Sequence, residues 1–428
     1  MRNILVVAGI LVIVASVSFA LENLSDSEKN WPQWRGPLGT GAAPAGNPPI
    51  EWSEQQNIRW KTQIPGIGYA TPVIWGNDIF IASAIEQDSA SNKPNKPIKF
   101  VVIAIDRLSG KLKWQQVARE EVPHEGMHPT GSWAAYSPVT DGERVYFNFG
   151  SHGLYCYDIG GKLLWEKDFG DMKIKNAFGE GGSPTLYKNR LIVNWDNEGQ
   201  SFIVALDAAT GKEVWKTNRD EGTSWMTPLV VEVAGQAQVA TSATNKVRSY
   251  DLATGEMLWE DEGLTANVIP SPVAADGVVY VMSGHRGSAL RAIRLAGAKG
   301  NISGSPAILW SYNQDTPYVP SPLLHKGLLY FVKSNQGILT CLNVTTGQPL
   351  YAKQRLDNIK TMYASPVGVQ DRVYLVSREG ITLVIRHGPE FGVLATNTLN
   401  DAFDASPVIV GDAIYLRGHK NLYCIAKK

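Results

Sequence analysis

The sequence predicts an all-β fold: an eight-bladed β-propeller whose blades each carry four antiparallel strands. Three observations predict it. A Ser/Thr-Pro pair that leads through a polar turn into an apolar strand occurs eight times, at Thr71-Pro72, Ser137-Pro138, Ser183-Pro184, Thr227-Pro228, Ser271-Pro272, Ser321-Pro322, Ser365-Pro366 and Ser406-Pro407. The successive prolines stand 66, 46, 44, 44, 50, 44 and 41 residues apart, the spacing of a strand-rich unit repeated around an axis. Three copies continue through apolar runs into an Asp-x-x-Thr/Ser-Gly turn and a tryptophan, at Asp106–Trp114, Asp207–Trp215 and Asp251–Trp259, and Asp158–Trp165 follows the same plan with Gly160-Gly161 in the turn. A single unit cannot bury its own faces, so the ring folds as one body.

The chain opens with Met1-Arg2-Asn3, a short positive region. Ile4 to Val17 is almost wholly apolar, and Ser18-Phe19-Ala20 supplies the small residues of a cleavage site. Residues 1–20 therefore read as a signal peptide, with the periplasm or the outside of a bacterial cell as destination. The run is shorter than the ~20 residues that cross a bilayer, so no stable membrane span is expected after its removal. Residues 21–57 are polar and rich in Pro and Gly around Trp31, Trp34 and Trp52. They are expected to wrap the propeller as an extended arm.

The propeller proper spans residues 58–428. Ile58-Arg59-Trp60-Lys61 resembles an outer strand, yet no Ser-Pro strand precedes it. The last unit, from Ser406 to Ala426, has three strands only. The N-terminal strand is expected to complete that last blade, removing the free sheet edges that invite aggregation. The blade is most legible at Ser183–Trp215. There Leu191-Ile192-Val193 and Phe202-Ile203-Val204-Ala205-Leu206 are buried strands, and Ala208-Ala209-Thr210-Gly211 is a tight turn. Lys212-Glu213-Val214-Trp215 alternates as an outer strand. Proline suits the head of the innermost strand, where its missing N–H goes unused.

Trp60, Trp114, Trp165, Trp215, Trp259 and Trp310 occupy one position of the repeat. Each indole is expected to cover the hairpin of the adjoining blade, burying ~200 Å² and finding a partner for its N–H. Blade 6 carries Tyr351 there, and blade 7 offers only Val393 or Leu394. Blade 1 is lengthened by the polar insertion Glu86–Phe100, expected at the surface.

Lys+Arg and Asp+Glu are 40 each, a formal net charge of zero. Nucleic-acid binding is excluded by the missing basic footprint. Cys156, Cys341 and Cys424 sit on the same rung of blades 2, 6 and 8, too far apart to bridge. They read as buried thiols. His124-Glu125-Gly126-Met127-His128 spells a metalloprotease string whose histidines must share a helical face. Pro123, Gly126 and Pro129 oppose a helix, so the segment reads as a connecting loop and no metal is assigned; His124 and His128 remain the only candidate ligands.

Residues just before each Ser/Thr-Pro pair should rim one mouth of the tunnel: Tyr69, Trp133, Tyr136, Glu180, Trp225, Asn267, Tyr318, Tyr363 and Asp404. Such a set suits a flat or sugar-like ligand, and equally suits a propeller plugging its own tunnel. Glu180 and Asp404 are candidates for a carboxylate pair facing the axis, or simply for acids in a wet channel.

The phrase Ala-x-Asp-x-x-Thr/Ser-Gly-Lys-x-x-Trp, at Ala104–Trp114 and Ala205–Trp215, resembles the tryptophan-docking repeat of the pyrroloquinoline quinone (PQQ) propellers. The resemblance covers roughly residues 58–428. Trp31-Pro32-Gln33-Trp34-Arg35-Gly36-Pro37 is similar to the head of secreted propellers from planctomycete-like bacteria. The family's non-enzymatic branch, which includes the propeller lipoprotein of the outer-membrane barrel assembly machine, implies an exported scaffold that binds envelope or extracellular proteins, or a small ligand at the tunnel mouth. Its quinoprotein dehydrogenases imply PQQ over adjacent, disulfide-linked cysteines, with calcium and an aspartate base. This chain has no Cys-Cys pair, and neither Glu180 nor Asp404 maps onto that motif. The expected protein is a non-enzymatic binding propeller without cofactor. The alternatives are a PQQ- and calcium-dependent dehydrogenase and a carbohydrate-binding propeller. The repeat specifies fold far better than function.

Overall fold

The computed structural model describes residues 24–86 and 96–427; residues 1–20, expected to be a signal peptide, and part of the blade 1 insertion lie outside them. Eight antiparallel sheets form the ring. Blade 3 is representative, with strands Thr185–Tyr187, Arg190–Trp195, Ser201–Asp207 and Glu213–Arg219 paired in that order from the axis outward. The last blade runs Val408–Val410, Ala413–Arg417, Asn421–Ala426, and takes Ile58–Gln63 as its outer strand. Ile58 opposes Ile425 and Gln63 opposes Asn421. The N-terminal strand therefore closes the ring.

The Ser/Thr-Pro pairs explain the closure at the axis. The backbone N–H of Thr71 donates to Ser137 Oγ, that of Ser137 to Ser183 Oγ, and so on around the ring until Ser406 N–H donates back to Thr71 Oγ1, eight bonds of 2.9–3.0 Å. Each hydroxyl takes up a main-chain donor that the preceding blade would otherwise bury unpaired. Alanine at these positions would leave the neighbouring donor without an acceptor, which is why the repeat keeps Ser or Thr.

At the rim, the indoles latch the blades. Trp60 Nε1 donates to Arg107 O, Trp114 to Ile159 O, Trp165 to Ala208 O, Trp215 to Leu252 O and Trp310 to Val344 O, each in the following blade. The hairpin glycine lies flat under the indole. A Cβ on Gly211, whose φ is +69°, would stand 2.7 Å from Trp165 ring carbons, so both backbone conformation and contact require glycine there. Trp259 departs from the expected pattern: its N–H donates to Gln238 Oε1 in its own blade. The irregular blade 5 loop supplies Gly300–Asn301 as an extra parallel strand beside Trp259 and Glu260 instead of a tight hairpin.

A one-residue bulge precedes the indole position in every outer strand. Ala205 opposes Trp215 while Leu206 opposes Glu213, leaving Val214 unpaired; Lys113 is skipped likewise in blade 1. Bulges re-aim a side chain, and here they turn the indole onto the next blade. The same register puts Ala395 at the indole position of blade 7, not Val393 or Leu394 as the sequence suggested. The three cysteines are free and buried, opposite Tyr146, Tyr330 and Tyr415 on equivalent rungs. The second and third strands of each blade form the core; Ile79–Ile81 and Val101–Ala104 are fully buried.

The arm crosses the face that bears the turns between first and second strands. Trp31 pairs with Ile74 of blade 1, Thr140 N–H of blade 2 donates to Pro32 O, Leu324 N–H of blade 6 to Thr40 O, and Ala43 N–H to Gly368 O of blade 7. Between these anchors Trp34 and Arg35 cross the axis. Trp34 Nε1 donates to Ser271 Oγ at 3.2 Å. Arg35 Nη2 donates to Pro322 O at 2.7 Å and to Pro366 O at 2.8 Å. Arg35 is buried without an acidic partner among the described residues, and burial lowers its pKa to about 9. The tunnel is thus stoppered at one end by its own chain.

Candidate functional site

Above Trp34 the tunnel holds a cavity of about 310 Å³ that opens at the opposite mouth. Its floor is the indole and the hydroxyl ring, with Ser137, Ser183, Thr227, Ser271, Ser321 and Ser365 in the lining. Six of the nine residues expected at the mouth line it: Tyr69, Glu180, Trp225, Tyr318, Tyr363 and Asp404. The other three do not. Trp133 turns aside and meets the His152 ring edge-on at 6.1 Å. Tyr136 is buried behind the wall with its hydroxyl 3.4 Å from Glu180 Oε2. Asn267 adopts a left-handed φ of 55° and is buried beside the cavity, outside its lining.

The aromatic walls are held rigid from behind. Trp225 Nε1 donates to Gly179 O at 2.7 Å. Tyr318 stacks on His285 at 4.5 Å, and Tyr69 on His419 at 4.7 Å. Tyr363 lies under the Arg378 guanidinium at 4.5 Å.

The two carboxyls differ. Asp404 Oδ2 accepts from Arg378 Nη2 at 2.6 Å and from Arg378 Nε at 3.2 Å, and lies 2.8 Å from His419 Nε2. Its Oδ1 is buried with no hydrogen-bond partner. Glu180 Oε2 accepts the Ser151 N–H at 2.8 Å, and Gly150, at φ +60°, passes so close that a Cβ would stand 1.7 Å from that oxygen. Desolvation outweighs these bonds and pushes the Glu180 carboxyl up to about 7. With a folded pKa above the unfolded one, Glu180 binds its proton more tightly in the native state. Its stabilising contribution is complete below pH ~4.5 and disappears as pH rises towards 7. Full burial would make this ~3 kcal/mol; the carboxyl borders the cavity, so about 2 kcal/mol is expected. Calorimetric unfolding between pH 4.5 and 7.5 should show this decline in the natural protein, and Glu180→Gln should flatten it.

The His-Glu-x-x-His segment forms no helix. His124 Nε2 lies 2.8 Å from Met172 O, Glu125 Oε2 accepts the Ile174 N–H at 3.0 Å, and His128 Nδ1 lies 2.8 Å from Thr130 Oγ1. Among the described residues no group of three or more His, Cys, Asp or Glu is placed to hold a metal. The segment is more than the exposed connector expected from sequence. Its end leans over the mouth, where His128 and Thr130 line the cavity and Thr130 meets Tyr363 and Arg378 of blade 7.

Sequence reasoning missed Trp34 as the cavity floor and the Ser/Thr hydroxyls as its lining. The signal for the second was present: a hydroxyl residue, never alanine, precedes all eight prolines.

A closed ring, indole latches and a hydroxyl collar define the class: a PQQ-type eight-bladed β-propeller. The chain belongs to the family described as outer membrane protein assembly factor BamB, whose profile matches residues 50–185, 98–267 and 199–428. It is 22% identical to BamB of Yersinia pestis over 224 residues, 47% of this chain and 54% of that protein. It is also 22% identical to a polyvinylalcohol dehydrogenase of a Pseudomonas species over 249 residues, 47% of this chain and 35% of that protein. The chain thus spans about a third to a half of the length of these relatives. Among solved structures, a quinohemoprotein alcohol dehydrogenase from Comamonas testosteroni superposes with a TM-score of 0.63 at 12% identity, over 97% of this chain and 84% of that one. That likeness concerns the fold. Among the described residues no helix is long and apolar enough to cross a membrane.

Proposed function

We propose that this is an exported, non-catalytic propeller of the cell envelope that binds through the open mouth of its tunnel. One observation carries the reading: the arm stoppers one end with Trp34 and Arg35, leaving a blind, aromatic-walled cavity at the other. A stoppered tunnel with rigid walls is built to receive a ligand or partner group from one side. The apolar run of residues 4–17 supports export, and the BamB family supports an envelope role.

The dehydrogenase relatives favour a second reading, in which the cavity holds PQQ and calcium. The lining fits that pair poorly. PQQ carries three carboxylates, and the cavity lining contains no Lys or Arg. Calcium takes six to eight oxygens, whereas Asp404 is already bound by Arg378 and His419, Glu180 holds a proton up to about pH 7, and Asn267 stands outside the lining. The test is to add PQQ with calcium to the purified protein and follow visible absorption and dye-linked alcohol oxidation. The proposal expects neither a bound chromophore nor turnover. A stoichiometric chromophore with turnover would establish the dehydrogenase instead.

A further inference from the structure

We propose that the cavity takes a neutral, polyhydroxylated ring: a sugar or cyclic polyol, free or as the terminal residue of a glycan. This rests on the reading of the blind cavity as the binding site and names the ligand's chemical class.

Three features converge on it. Asp404 Oδ1 is a buried carboxylate oxygen with no donor. Leaving such an acceptor unsatisfied is costly, and a ligand O–H removes that penalty. The floor supplies the complementary donors. Each collar oxygen already accepts a main-chain N–H, so its own hydrogen remains to be given, and six of the eight collar hydroxyls reach the lining. A hydroxyl-bearing ligand both donates and accepts, and therefore satisfies both sets. Trp225, Tyr318 and Tyr363 add fixed ring faces against which the C–H face of a saturated ring packs.

Charge excludes the other classes. No Lys or Arg stands among the described lining residues, and His128, which does line the cavity, is hydrogen-bonded to Thr130, so an anion would face two carboxyls. An organic cation would find Asp404 already compensated by Arg378 and Glu180 largely protonated below pH 7.

The test is isothermal titration of the mature full-length protein at pH 6.5. The probes are glucose, galactose, N-acetylglucosamine, trehalose and myo-inositol, then cellohexaose and chitohexaose, with choline and succinate as charged counterparts. At about 10 mM even millimolar sites approach saturation. A neutral probe should saturate at one site per chain. Asp404→Asn and Trp225→Ala should each weaken it about tenfold or more, and Trp225→Ala, which leaves the Asp404 pairs intact, covers the case in which Asp404→Asn fails to fold. A hexamer matching its monomer in affinity indicates terminal-residue recognition; a monomer alone indicates a free ligand. Saturation by choline or succinate only overturns the polyol assignment and leaves the cavity as the binding site. Saturation by no probe also overturns it, and the cavity reading is then judged separately by whether the mouth is protected in an envelope extract. Binding unchanged in both variants places the site elsewhere and overturns both.

Discussion

Deleting residues 56–62 should open the ring and lower the melting temperature by roughly 10 °C or more in scanning calorimetry. The deletion strips the outer strand from the last blade and exposes the edge of Asn421–Ala426, which carries Leu422, Tyr423 and Ile425. It also removes the first latch. Trp60 covers Gly110 and donates to Arg107 O, and Thr62 Oγ1 donates to Gly110 O at 2.6 Å. The indole is partly buried, and what it buries is worth about 3 kcal/mol. The lost ladder and latch bonds bring the sum to roughly 8–10 kcal/mol. A chain of this length shifts about 1 °C per kcal/mol, because its unfolding entropy scales with size. Trp60→Ala, which keeps the strand, should cost about 3–5 kcal/mol. An unchanged melting temperature for the deletion would show that the strand does not hold the ring together.

Asp196→Ala should destabilise the protein by about 3–5 kcal/mol, measured by urea unfolding. Arg219 and Asp196 form a bidentate pair, Nε–Oδ1 at 2.7 Å and Nη2–Oδ2 at 3.0 Å, with both side chains fully buried. Arg219 Nη1 reaches into blade 4, donating to Tyr250 OH at 2.7 Å and Thr241 Oγ1 at 3.1 Å, and Ser224 Oγ donates to Asp196 Oδ2. Removing the carboxylate strands a guanidinium in the seam between blades 3 and 4, and an unpaired buried charge is the expensive outcome. The double variant Asp196→Leu/Arg219→Met removes both charges and should recover most of the loss. If the double variant is as unstable as the single one, the pair is needed for its shape and hydrogen bonds, and charge burial is not the reason.

The blades were legible because their determinants are local and repeated. Asp106, Asp207 and Asp251 each cap their own turn by accepting from Ser109, Thr210 or Thr254 three residues on, and the glycine and tryptophan follow at fixed offsets. Closure was legible for the same reason, as a lone strand at one end and a three-strand unit at the other. The latch geometry was less so. The bulge that skips Val214 is set by pairing with the neighbouring strand, and no residue type marks it. Trp259 escaped its assigned partner because the blade 5 loop, from 297 to 306, keeps no turn signature.

At the site, position along the repeat predicted which residues approach the axis, and six of nine reach the cavity. What separates them is side-chain direction: Tyr136 folds behind Glu180, and Asn267 turns through a left-handed backbone. The stopper was illegible because Trp34 and Ser271 are 237 residues apart, and only the ring brings them together. The arm's tryptophans look alike in sequence. Trp31 is buried against blade 1 and Trp52 stacks on Tyr374 of blade 7, while Trp34 alone faces the cavity.

The central claim is that one mouth of the tunnel is the working face and the arm has sealed the other. Hydrogen–deuterium exchange in the presence of a soluble envelope extract, compared with the same extract dialysed and filtered of solutes, tests it most directly. The account predicts that protection falls on residues 128–137, 179–183, 318–321, 363–365 and 404, and that the arm from 31 to 43 exchanges alike in both. Protection along the arm with an unchanged mouth would contradict it.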